Sequence, residues 1–240
     1  MSQEIANYDA MLAQMAKAAV NVEKPSGSSI SVRAGVLSYN GQPAPGNKLD
    51  VIVIASTHAN LYYEGKYDPS NLTNPVCFAY SQDGENMVPH PKSSKPQGED
   101  CDSCPMNQWG SDPDGGRGKA CKNTRSLGLI PAGTPAAEIA TAEVAVLKLP
   151  VMSVKNWQAY VQKCSALYSR PPLGLVTTIG TVPDQKSQFR ITFTDTMPLG
   201  MDMVAGILPR IPDVVEILER VYDPNPEPAP DAAPKKARKF

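Results

Sequence analysis

Four of the chain's five cysteines fall in one stretch, at Cys77, Cys101, Cys104 and Cys121, and glycine and proline break that stretch throughout. Gly84, Gly98, Gly110, Gly115, Gly116 and Gly118 are interspersed with Pro89, Pro91, Pro96, Pro105 and Pro113. A segment so rich in breakers has little prospect of burying a hydrophobic core of its own. The C-x-x-C pair at Cys101 and Cys104 brings two thiolates onto a tetrahedral ion from one tight turn, and two distant cysteines close the shell. The spacing therefore predicts a structural zinc on Cys77, Cys101, Cys104 and Cys121. Two disulfides would use the same cysteines, and an iron–sulfur cluster also takes four thiolates. His90 is a candidate to replace one cysteine, although Pro89 and Pro91 restrict its aim.

The two halves of this stretch differ in charge. From Asp83 to Asp114 there are seven acids against Lys92 and Lys95. The run RGKACKNTR then holds Arg117, Lys119, Lys122 and Arg125 with no acid. Four cations around a ligand cysteine, with Gly116 and Gly118 allowing close approach, suit a knuckle that contacts phosphates. The alternative is a solvated loop whose cations offset the negative charge of a four-thiolate site.

Composition sets the outer limits. Hydrophobic residues make up 41% of the 240, enough for a sizeable core, and formal net charge is −1. Contacts with nucleic acid would then have to come from a local patch rather than a bulk positive field. No apolar run approaches the roughly 20 residues needed to span a bilayer. The first twenty residues mix acids and amides with apolar residues, unlike a signal peptide. The expectation is a soluble, cytoplasmic protein with no membrane partner.

Residues 1–22 read as an N-terminal amphipathic helix, with Ile5, Tyr8, Leu12, Met15 and Ala19 on one stripe. It would dock on its own core or pair with a second subunit, so a homo-oligomer is an open expectation. Strands are expected over 29–39, ending at the turn Asn40-Gly41, and over 48–63, where Val51 to Ile54 suit burial on both faces. His58, within the second of these, reads as a satisfied, partly buried histidine. Further strands fall at 124–131, 142–149, 173–182 and 188–195. A helix over 153–168 places Val154, Trp157, Tyr160, Val161, Cys164 and Leu167 on one face, so Cys164 and Trp157 read as core. A last helix, about 213–222, is capped by Asp213 with Glu216 three residues on. Residues 223–240 form a proline-rich tail expected to be disordered.

Six strand-like segments and few helices predict a mainly β, α+β chain. The architecture expected is an OB-like small barrel with a zinc-binding loop insertion, one helix between strands, and flanking N- and C-terminal helices. The domain would cover 23–222, with the insertion at 75–125 and the C-terminal helix at 211–222.

The segment CFAYSQDGENMVPH…CDSCPMNQWGSDPDGGRGKACKNTR, within residues 75–130, resembles a motif in a family of proteins encoded by tailed bacteriophages. An OB-like barrel with such an insertion is similar to the single-stranded DNA-binding proteins that phages use in DNA replication and recombination. The resemblance implies zinc on the four cysteines, single-stranded DNA as ligand and the host cytoplasm as location. Such proteins commonly end in an acidic tail with a terminal aromatic. Here Phe240 is preceded by Lys235, Lys236, Arg238 and Lys239, which puts tail-mediated recruitment of replication or recombination proteins in doubt.

Strand binding without sequence preference needs cations for phosphates and aromatic faces for bases. Arg117, Lys119, Lys122 and Arg125 are candidates for the first. Tyr62, Tyr63, Tyr67, Phe78, Tyr80 and Trp109 are candidates for the second. Enzymatic readings lack their motifs. His58 is followed by Ala59-Asn60 rather than x-Glu, Asp100 rather than proline precedes Cys101, and the two histidines are too far apart for H-E-x-x-H. A non-enzymatic role is expected. The alternative to DNA binding is a zinc-stabilised protein–protein interaction or replication accessory factor.

Overall fold

The computed structural model describes residues 29–65, 73–113 and 115–220. The expected helix over 1–22, Tyr67 and the tail from Asp223 lie outside them. The described chain is mainly β, with two sheets and three α-helices. It divides into two compact units: residues up to Ala55 with Leu127–Val214, and Ser56–Ser126 with the residues from Val215 on.

In the first unit, the segment expected as one strand is a hairpin and a half. Strands β1 (Ile30–Arg33), β2 (Val36–Tyr39) and β3 (Gln42–Pro43) form a three-stranded antiparallel sheet. Both turns place two residues at positive φ, Ala34 (49°) with Gly35 (79°) and Asn40 (49°) with Gly41 (79°). This is the backbone that suits two-residue hairpins, and Asn-Gly announces it while Ala-Gly does so less plainly. Asn47 secures the small sheet. Its Nδ2 donates to Gly35 O at 2.9 Å and Thr181 Oγ1 at 2.6 Å, and its Oδ1 accepts from Leu37 N at 2.7 Å.

The larger sheet has the order β7-β6-β4-β8-β9, with β5 also paired to β4. Its strands are β4 (Lys48–Tyr62), β5 (Cys77–Ser81), β6 (Lys122–Pro131), β7 (Ala145–Leu149), β8 (Leu175–Asp184) and β9 (Gln188–Pro198). The fifteen residues of β4 take different partners at its two ends, β8 along Lys48–Ile52 and β5 along His58–Tyr62. Val51 to Ile54 are all buried, as their uninterrupted apolar run requires.

Helix α1 (Val151–Tyr168) lies over β9 in the core of the first unit. Trp157, Tyr160 and Cys164 pack there with Leu147, Leu175 and Ile191, which assigns the fifth cysteine to packing. Leu167, expected on the same face, is exposed. The helix also satisfies backbone groups of β9. Ile191 N donates to Ser153 Oγ at 2.9 Å, and Asn156 Nδ2 donates to Ile191 O at 2.8 Å. Helices α2 (Met201–Ile207) and α3 (Ile211–Glu219) follow. Helix α3 starts two residues before Asp213, which therefore sits in its first turn rather than at its cap.

The buried pair of Tyr160 Oη and Thr177 Oγ1, 2.7 Å apart, joins α1 to β8. Tyr160→Phe and Thr177→Val should each cost about 1–3 kcal/mol by stranding the other hydroxyl. The double variant should cost less than the sum, as urea unfolding of all four proteins would show. Strict additivity would mean that the two hydroxyls do not stabilise one another.

Candidate nucleic-acid interface

The second unit is built on the alternation of side chains along β4 and β5. His58, Asn60 and Tyr62 point to one face of β4, and their register partners Ser81, Ala79 and Cys77 share it. Ala59, Leu61 and Phe78 pack on the opposite face with Tyr63 and Tyr80. The aromatic candidates are thus split between faces. Phe78 is buried and stacks on His90, with centroids 4.9 Å apart and planes at 21°. Burial, first of all, pushes the Tyr80 phenol well above its ordinary value. Phe78 is therefore not presented to solvent as a stacking platform would be, whereas Tyr62, Tyr63 and Tyr80 are half-buried.

The glycine- and proline-rich loop folds onto the first face through polar side chains. Asn123 Nδ2 donates to Asn60 Oδ1 at 2.5 Å and to Asn107 Oδ1 at 2.9 Å. Asn107 Nδ2 in turn donates to Cys101 O at 2.7 Å, and Lys119 Nζ donates to Asn107 Oδ1 at 3.3 Å. The C-x-x-C turn is closed by Asp100, which accepts from Asp102 N, Ser103 N and Ser103 Oγ. Cys121 N donates to Met106 O at 2.8 Å, and Gly110 N to Gly118 O at 2.9 Å, so the two arms of the loop run back along each other. At Gly118 a Cβ would lie 2.9 Å from Asp112 Oδ2, so the two arms approach closely there.

The four cysteines do converge, and Cys77, Cys101, Cys104 and Cys121 line one small cavity with Asn60 and Tyr62. The expected zinc is nevertheless overturned. Among the described residues no group of three or more His, Cys, Asp or Glu side chains is placed to hold a metal ion. Burial pushes the Cys121 thiol up to about 12 and raises Cys101 as well, with the neighbouring sulfurs adding to both shifts. His90 is engaged elsewhere, stacked on Phe78 and accepting from Lys92 N at Nδ1. The order expected from a metal comes instead from the asparagine chain and the backbone bonds of the loop.

The basic run divides as well. Lys122 Nζ lies 3.2 Å from Asp112 Oδ2 and also donates to Lys119 O. Arg125 is half-buried on β6, where desolvation lowers its pKa, and its Nη1 donates to Thr124 O at 2.9 Å. Lys119 and Arg117 remain at the loop tip with Trp109. The indole is 79% exposed, Lys119 Nζ lies 5.4 Å from its ring centroid, and Arg117, Gly110 and Gly116 line an open groove beside it. An exposed tryptophan with a cation over one face leaves the other face free to stack, and the glycines let a backbone come close.

His58 occupies an environment that the strand pattern alone does not reveal. Burial, then the charge of Arg125, lowers its pKa to about 4, against a smaller opposing effect of Asp83. A Cβ on Gly84, which sits at φ 84°, would come within 2.0 Å of His58 Nδ1, so the imidazole lies directly against that turn.

Comparison of the chain with protein-family models, curated proteins and solved structures finds no match. Among the described residues no helix is long and apolar enough to cross a membrane.

Two outcomes follow from this geometry. Asn107→Ala should destabilise the protein by about 1–3 kcal/mol in urea unfolding, because the groups bonded to Asn107 lose a buried partner. No change would mean that the asparagine chain does not hold the loop. A histidine with a folded pKa of about 4 against 6.5 unfolded is protonated first in the unfolded chain as pH falls. Its share of stability is present above 6.5 and is lost as pH falls toward 4. His58→Gln should flatten that part of a plot of Tm against pH, and an unaltered slope would contradict it.

Proposed function

We propose that this chain binds single-stranded DNA without strong sequence preference and has no catalytic role. One observation carries the reading: the exposed Trp109, with Lys119 over its ring and Arg117 beside the adjoining groove. A base stacks on the free indole face while the two cations meet the flanking phosphates. Stacking is tolerant of sequence because every base has a π-face, and a formal charge of −1 is no obstacle to so local a patch.

The finer architecture belongs to the same reading. A fifteen-residue strand that changes partner along its length suits an OB-like small barrel, the fold implied by the phage resemblance. In that setting the protein acts in phage DNA replication or recombination in the host cytoplasm. The second reading is a protein partner docked on Trp109, since an exposed tryptophan beside an arginine is also the composition of an interface hot spot.

Tryptophan fluorescence separates the two. The chain has two tryptophans, and Trp157 is buried in the core, so quenching by oligo-dT reports Trp109. Quenching that is salt-sensitive and much weaker with duplex is expected. Trp109→Ala should weaken binding by about 1–3 kcal/mol in fluorescence anisotropy. Arg117→Ala with Lys119→Ala should flatten the dependence of log affinity on log salt by roughly 0.7 for each phosphate no longer neutralised. No quenching and no binding at low salt would favour the docking of a protein partner.

A further inference from the structure

Below the loop, on the face of β4 that carries Asn60, lies a second basic feature that the Trp109 groove does not use. Arg125 stands two residues beyond Asn123 on β6, and His58 stands two residues before Asn60 on β4, so the asparagine contact brings both onto one face. Arg125 is half-buried, yet of its five N–H donors one bond is made among the described residues, from Nη1 to Thr124 O. Among the described residues it forms no ion pair. His58 is also half-buried and makes no side-chain hydrogen bond among the described residues. Asp83 is the carboxylate whose charge reaches His58, but its Oδ1 is occupied by Ser81 Oγ at 2.6 Å and Glu85 N at 2.9 Å. Gly84 closes the Nδ1 side of the imidazole.

A half-buried guanidinium whose remaining donors have no partner among the described residues, beside a half-buried imidazole in the same condition, presents charge and donors that suit an incoming anion. We infer that Arg125 and His58 form a recessed pocket for one phosphate group, which in a bound strand is a backbone phosphodiester. The guanidinium supplies charge and paired donors, and a neutral imidazole supplies one further donor. The choice of a strand as the source of the phosphate rests on the proposed function, whereas the anion chemistry stands on the pocket alone.

The test uses the full chain and two ligands. The protein has two histidines, so imidazole NMR signals are assigned with a His58→Gln variant. Inorganic phosphate, added against chloride at equal ionic strength, should shift the His58 signals in the native protein and leave them unmoved in Arg125→Gln. Arg125→Lys, which keeps the charge, should retain a weaker shift and shows that any loss in Arg125→Gln is not misfolding. Oligo-dT should shift the same signals, and Arg125→Gln should reduce its salt slope by roughly 0.7, one phosphate's worth. A phosphate shift without oligo-dT binding keeps the pocket and overturns strand binding. Oligo-dT binding with an unchanged slope in Arg125→Gln and no phosphate shift overturns the pocket and leaves strand binding standing.

Discussion

Three asparagine side chains in a row, Asn60, Asn123 and Asn107, hold a loop whose own buried apolar surface is small, chiefly Met87, Ala120 and the cysteines. Two of them, Asn60 and Asn107, are more than nine-tenths buried, where each unmade hydrogen bond would be costly. The chain ends on Cys101 O inside the C-x-x-C turn, and Lys119 Nζ joins it at Asn107. Through these bonds the position of the loop tip, and with it of Trp109 and Arg117, is referred back to β4. Buried amides suit this task because each offers both donors and an acceptor, so they can be chained.

The second constraint is the alternation of β4 and β5. It puts Tyr63, Phe78 and Tyr80 into packing on one face and leaves Tyr62, Asn60 and His58 on the other with the cysteines. Aromatic residues close together in sequence are thus divided by function. Those on the first face build a small core; among the described residues of this stretch the exposed ring that remains is Trp109, carried on the loop.

Much of the scaffold is legible in the sequence because it rests on local pattern. The run Val51 to Ile54, the alternation of Phe189, Ile191 and Phe193, and the helical spacing of Trp157, Tyr160 and Cys164 each define an element. The hairpin at Ala34-Gly35 escapes notice since alanine does not announce a left-handed turn. Strand β5 is hidden because Cys77 makes its residues read as part of the loop. The site is less legible. Cysteine spacing brings the right four residues together but suggests a metal, whereas the loop is tied by asparagines, whose long-range pairing leaves no periodic signal. The pairing of Lys122 with Asp112 and the withdrawal of Arg125 into β6 are tertiary events. Charge counting cannot separate those two cations from Arg117 and Lys119 at the loop tip.

The most direct test of strand binding at the loop tip is photo-crosslinking of the full chain to a 5-iododeoxyuridine oligonucleotide, with the attached peptide identified by mass spectrometry. The crosslink is expected on the peptide that carries Trp109, suppressed by excess oligo-dT and little affected by duplex. A crosslink confined to other peptides, or none at low salt, would contradict it.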